Sequence, residues 1–80
     1  MNKYILINEI LGNINLSFLD YKFIDTMIYF EDDKSKKEIL NQYKAIYQDE
    51  FNRTVLKHQK ESNGKIKANT WLRELIAKKR

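Results

Sequence analysis

The sequence predicts an all-α protein, a small four-helix bundle built around one long central helix at about residues 36–62. Apolar residues recur at spacings of three and four through the second half of the chain, as they do along one face of a helix. No proline occurs in the 80 residues. A chain of this length supports one small core, so we expect a single helical domain, residues 1–80.

The central helix is predicted from its two ends and its apolar stripe. Ser35 and Glu38 have the spacing of a capping box, and Ser62-Asn63-Gly64 is a typical left-handed helix end. Such a helix would be about 40 Å long, which suggests an overhang or a kink near residues 52–54. A core this small needs its aromatic side chains inside, so we expect the stripe to be buried; the alternative is an exposed stripe whose aromatic rings stack on bases. Its members are Ile39, Leu40, Tyr43, Ile46, Tyr47, Phe51 and Val55.

The remaining helices are predicted from shorter signals. The first, residues 2–11, would end at Gly12-Asn13, and the second begins with a capping box formed by Ser17 and Asp20. A basic connector at residues 65–68 would lead to a last helix capped by Asn69 or Thr70. The apolar ridge of that last helix is Trp71, Leu72, Leu75 and Ile76.

An α+β fold with an N-terminal hairpin is the alternative. Residues 3–8 contain a short apolar run that also suits a strand, and residues 23–30 can be read as alternating. Both faces of such a hairpin would be apolar, and no Asn-Gly or Asp-Gly turn joins the two segments, so helices are favoured.

Composition excludes several classes of protein. There is no cysteine, which rules out disulfides and thiolate metal sites. Apolar runs such as Tyr4 to Ile7 are far too short to span a membrane, so we expect a cytoplasmic protein with no membrane partner.

Enzymatic residue patterns are also missing. His58 is the only histidine, and Glu61 three residues later leaves a metal site without a second strong ligand. The two glycines are too far apart for a phosphate-binding loop. We therefore expect no enzyme, no metal, no cofactor and no small-molecule substrate.

Charge is divided unevenly along the chain. Residues 1–52 carry six lysines and nine acids, whereas residues 53–80 carry nine lysines and arginines and two acids. This asymmetry is typical either of a solubilising surface or of a face that contacts a polyanion. The candidate nucleic-acid-binding residues are Arg53, Lys57, Lys60, Lys65, Lys67, Arg73, Lys78, Lys79 and Arg80.

These residues suggest a non-enzymatic accessory protein of DNA replication, recombination or repair, which contacts nucleic acid or a nucleic-acid enzyme through its basic C-terminal half. Binding to the phosphate backbone fits better than a helix-turn-helix, because the loop predicted at residues 62–68 is too long for that motif. The alternative is a small inhibitor or immunity protein that masks a partner through its acidic N-terminal part. Self-association through the long helix is a third possibility. Frequent lysine, asparagine and isoleucine indicate a phage or low-GC bacterial source.

Residues 47–80 resemble the theta subunit of bacterial DNA polymerase III. The resemblance lies in Tyr-Gln-Asp-Glu-Phe-Asn-Arg-Thr-Val-Leu at residues 47–56 and Trp-Leu-Arg-Glu at residues 71–74. In that family a similar aromatic-rich segment ends in Asn-x-Pro-Val-Ile ahead of an aromatic-Arg-Glu helix. This chain has Thr54 in place of the proline, and its first 30 residues have no counterpart. The resemblance implies a non-catalytic accessory of a replication complex, bound to a partner protein through the Trp71 side or the central helix.

Overall fold

The computed structural model describes residues 4–79 and contains four α-helices in that range. They are α1 (Ile5–Leu11), α2 (Phe18–Ile28), α3 (Asp33–Arg53) and α4 (Lys60–Lys79), with a short 3₁₀ turn at Lys57–Gln59 ahead of α4. No strand occurs in the described residues, so the all-α prediction is confirmed and the N-terminal hairpin is wrong. Asn2 and Lys3 of the predicted first helix, together with Arg80, lie outside the described residues.

Helices α3 and α4 form an antiparallel hairpin, and α1 and α2 pack against it. Tyr43 of α3 donates a 2.7 Å hydrogen bond to Asn69 of α4, while Tyr47, one turn later, lies against Gly64. Ring stacking of Tyr4 on Tyr21, with 5.4 Å between centroids, joins the segment at α1 to α2. The core formed between these elements consists of Tyr4, Ile7, Leu11, Ile14, Ile24, Ile28, Ile39, Leu40, Tyr43, Tyr47, Ala68, Leu72 and Ile76.

The predicted central helix is confirmed over residues 36–53, but its predicted end at residue 62 is wrong, because the chain leaves the helix at Thr54. Thr54 has extended backbone angles (φ −74°, ψ 122°). Its hydroxyl and its amide both donate to the carbonyl of Glu50, at 2.8 and 3.0 Å, so the side chain takes part in ending the helix as threonine can. The predicted kink near residues 52–54 is therefore a complete break.

Residues predicted to end the central helix lie inside α4. Gly64 is buried there, and a Cβ at its position would lie 2.8 Å from Cδ2 of Tyr47. The glycine thus allows α3 and α4 to approach closely and does not adopt a left-handed turn, since no described glycine has positive φ. The basic connector at 65–68 and the cap at Asn69 or Thr70 are wrong for the same reason: all of these residues are helical.

Two helix starts test the capping predictions. The Ser17–Asp20 capping box is confirmed, with Asp20 N donating to Ser17 Oγ at 3.2 Å and Ser17 N donating to Asp20 Oδ2 at 2.8 Å. The box predicted at Ser35 is wrong, because Asp32 is the cap and accepts from Ser35 N at 2.8 Å. Aspartate and serine are both favoured caps, and the carboxylate three residues earlier takes the position here.

The caps make stability depend on pH. Burial opposes ionisation of Asp20, but its hydrogen bond from Ser17 and the nearby Lys65 outweigh burial and lower its pKa below 3.8. A pKa lowered by folding stabilises the protein above the unfolded value, and this stability is lost as the pH falls through the lowered value. We expect unfolding to become easier below about pH 4, in urea melts followed by circular dichroism.

The Asp20→Asn variant should weaken this acid dependence. Part of it will remain, because Asp32 caps α3 and its pKa is also lowered, by hydrogen bonds from Ser35. Glu38→Gln is the matched control, since Glu38 is exposed. If Asp20→Asn left the pH dependence of unfolding unchanged, Asp20 would not be a source of the acid sensitivity.

Candidate functional site

Three of the predicted nucleic-acid-binding residues form ion pairs within the protein. Lys65 Nζ lies 2.9 Å from Asp20 Oδ2 and 3.8 Å from Glu61 Oε1. Lys79 pairs with Glu31 at 2.8 Å, and Arg53 pairs with Asp49 at 3.1 Å. Part of the charge asymmetry in the sequence is therefore neutralised in the fold, where acids of the first half meet bases of the second.

The remaining predicted residues of α4 are spread along the helix. The guanidinium of Arg73 lies over the ring of Phe23, 5.2 Å from its centroid, and so joins α4 to α2. Lys67 and Lys78 are exposed and have no acidic partner among the described residues. Nothing is described for Arg80.

Positive charge is concentrated in the segment that connects α3 to α4. Residues 53–60, which we name the basic turn, carry Arg53, Lys57 and Lys60 and no acid. Lys57 and His58 are exposed. The sequence placed His58 in mid-helix, but it lies in the 3₁₀ turn because α3 ends at Arg53.

Lys60 is half-buried, and its two contacts are with neutral groups. Its Nζ donates to the carbonyl oxygen of Phe51 at 3.1 Å and lies 5.4 Å from the centroid of that ring. Both partners are neutral, so Lys60 is held in place at the end of α3 without a carboxylate to cancel its charge.

The basic turn also exposes apolar side chains. Val55 is 90% exposed and Leu56 is 52% exposed. The prediction that Val55 continues the buried stripe of α3 is wrong, because the helix ends before it. The stripe is otherwise confirmed in its main members, with Tyr43 and Tyr47 buried and Phe51 half-buried.

An open groove of about 490 Å³ lies beside the basic turn. We name it the amide groove, because three of its lining residues, Asn13, Gln48 and Asn52, carry exposed side-chain amides. Tyr47 and Phe51 also line it, and their rings are tilted to each other with 5.8 Å between the centroids. Ile14 completes the lining.

Sequence reasoning missed the amide groove. Gln48 and Asn52 follow the aromatic residues Tyr47 and Phe51 by one position each, which is a detectable pattern of amides beside an aromatic stripe. Asn13 reaches the same place only through the packing of the segment between α1 and α2, which no local signal predicts.

The amide groove contains no acidic or basic side chain among its lining residues. Burial raises the pKa of Tyr47, with a further contribution from the charge of Glu61, so its hydroxyl stays neutral at neutral pH. The described residues contain no group of three or more histidine or acidic side chains placed to hold a metal ion.

Across residues 4–79, no helix has both the length and the apolar character needed to cross a membrane.

Comparison of the chain with protein-family models, with characterised proteins and with solved structures gives no match.

Proposed function

We propose that the protein is a non-enzymatic, cytoplasmic helical accessory of DNA replication, recombination or repair that contacts nucleic acid through the basic turn. The observation that carries the proposal is the clustering of Arg53, Lys57 and Lys60 in a segment without acids. Lysine and arginine side chains that meet phosphates release counterions, which supplies most of the affinity in sequence-independent binding.

The basic turn suits backbone contact because Lys57 and Lys60 have no acidic partner among the described residues, and because the pair of Arg53 with Asp49 is largely exposed and therefore weak. The partners of Lys60 are neutral. Lys65 and Lys79 are already paired with acids, so we assign them structural roles. The proposed interface is therefore narrower than the whole basic C-terminal half.

The resemblance to the theta subunit of DNA polymerase III supports an accessory role in replication. Thr54 occupies the position where that family has proline, and its φ of −74° is close to the value of about −65° that proline requires. A proline would lack the amide hydrogen that Thr54 donates to Glu50. The backbone at Thr54 is thus compatible with proline, which would lose one hydrogen bond there.

Exposed Val55 and Leu56 favour a second candidate, in which the basic turn docks on a nucleic-acid enzyme. Apolar side chains this exposed are common at protein interfaces. Salt separates the two candidates, because phosphate binding weakens steeply with ionic strength whereas an apolar contact does not.

The test is a fluorescence-anisotropy titration of labelled single-stranded and double-stranded DNA at two or more salt concentrations. We expect salt-sensitive binding. Lys57→Glu should lower the affinity and reduce the salt slope by about 1, as expected for the loss of one phosphate contact.

Lys34→Glu is the matched control for this variant. Lys34 is an exposed lysine near the start of α3, about 28 Å along the helix axis from Arg53. Equal weakening by both variants would point to net charge alone, and unchanged binding in Lys57→Glu would contradict the proposed interface.

A further inference from the structure

We infer that the amide groove binds one base of a single-stranded nucleic acid whose phosphates contact the basic turn. This inference rests on the proposed function and adds to it a ligand class and a second site. The groove is lined by residues from two parts of the chain, namely Asn13 and Ile14 before α2, and Tyr47, Gln48, Phe51 and Asn52 in α3.

The polar lining matches the edge of a base. A side-chain amide carries both a donor and an acceptor, and asparagine and glutamine pair with bases through these two atoms. Asn13, Gln48 and Asn52 are all exposed, and none of them makes a side-chain hydrogen bond among those found in residues 4–79. Three amides that are not used within the fold therefore surround one groove.

The aromatic lining matches the face of a base. Phe51 lines the groove and is half-buried, so part of the residue stays accessible there. Stacking of bases on such rings contributes to single-strand binding and tolerates any base. The volume of about 490 Å³ falls in the range of about 300–1,000 Å³ that is common for ligand sites.

Positive charge lies where the attached phosphate would be. Lys60 Nζ is 5.4 Å from the centroid of the Phe51 ring, and Arg53 directly follows Asn52 in the chain. A nucleotide in the groove would thus place its base against Phe51 and its phosphate beside the basic turn. Bases in a duplex are paired and stacked, so their edges and faces are available in this way only in a single strand.

The experiment compares two labelled oligonucleotides of equal length, one of ordinary single-stranded DNA and one with abasic sites throughout its central part. Both carry the same phosphates. We expect the wild-type protein to bind the ordinary strand at least about tenfold more tightly, because only that strand offers base edges to the amides and base faces for stacking.

The double variant Gln48→Ala with Asn52→Ala should bind the ordinary strand about tenfold more weakly and the abasic strand as the wild type does. Phe51→Leu, which keeps apolar volume and removes the ring, should also reduce the preference. The matched control is Asn41→Ala with Gln42→Ala, which removes two exposed amides from the same helix, about 10 Å earlier along its axis.

The outcomes separate the two proposals. Equal, salt-sensitive binding of both strands would overturn the base site and leave the basic turn as a phosphate-binding surface. An undiminished preference for the ordinary strand in both the Gln48 and Asn52 double variant and Phe51→Leu would also overturn it. Binding of neither strand at low salt would overturn the proposed function and the base site together.

Discussion

Replacing Tyr43 by alanine is expected to lower the free energy of unfolding by about 3 to 5 kcal/mol. Tyr43 is only 1% exposed, and its removal leaves a cavity between α3 and α4. Burial raises the pKa of this tyrosine well above its ordinary value of 10.0, so the hydroxyl is a neutral donor, and it binds Asn69 Oδ1 at 2.7 Å. Urea unfolding followed by circular dichroism measures the loss.

Two further variants help to interpret the effect of Tyr43→Ala: one removes only the hydroxyl, and the other is a surface control. Tyr43→Phe removes only the hydroxyl and should cost about 1 kcal/mol, the usual net value of a hydrogen bond. Tyr29→Ala is the surface control, since Tyr29 is 62% exposed, and it should change stability by no more than about 0.5 kcal/mol. A Tyr43→Ala protein as stable as the Tyr29→Ala protein would contradict the packing of α3 on α4.

Replacing Gly64 by alanine is expected to destabilise the protein by about 1 to 3 kcal/mol, although alanine is the better helix former. The new Cβ would lie 2.8 Å from Cδ2 of Tyr47 and 3.0 Å from its carbonyl oxygen. The Tyr47 ring has little room to turn because it is packed in the core, and its carbonyl is part of the backbone of α3. The two helices would therefore have to separate.

Ser62→Ala is the control for Gly64→Ala, because Ser62 is exposed in the same helix. It should be neutral or slightly stabilising. Combining Gly64→Ala with Tyr47→Leu removes the ring contact, so the double variant should be less destabilised than the sum of its parts. A more stable Gly64→Ala protein would mean that α3 and α4 do not approach closely at this point.

Helix starts and ends were predicted correctly where the residues at that position favour a single local structure. The start of α2 could be read from Ser17 and Asp20 because their spacing satisfies both orphan amides at once. The end of α3 could not be predicted in this way, because threonine also occurs inside helices. Thr54 ends the helix through a hydrogen bond to the carbonyl of Glu50. Gly64 shows the same ambiguity, because a glycine that allows close packing and one that ends a helix are identical in sequence.

The candidate site was predictable in part. The basic residues were evident from composition, but which of them stay available depends on pairing between residues far apart in the chain. Lys65 meets Asp20, and Lys79 meets Glu31; neither contact follows from spacing along a helix. The amide groove depends on the same long-range packing, which brings Asn13 beside Gln48.

The most direct test of nucleic-acid contact at the basic turn is an NMR titration of ¹⁵N-labelled protein with a short single-stranded DNA at low salt. We expect the backbone amide signals of residues 53–60 to shift, together with the side-chain amide signals of Asn13, Gln48 and Asn52. Signals from the start of α3, including Lys34, should not move. Shifts confined to other surfaces, or no shifts at saturating DNA, would contradict the account.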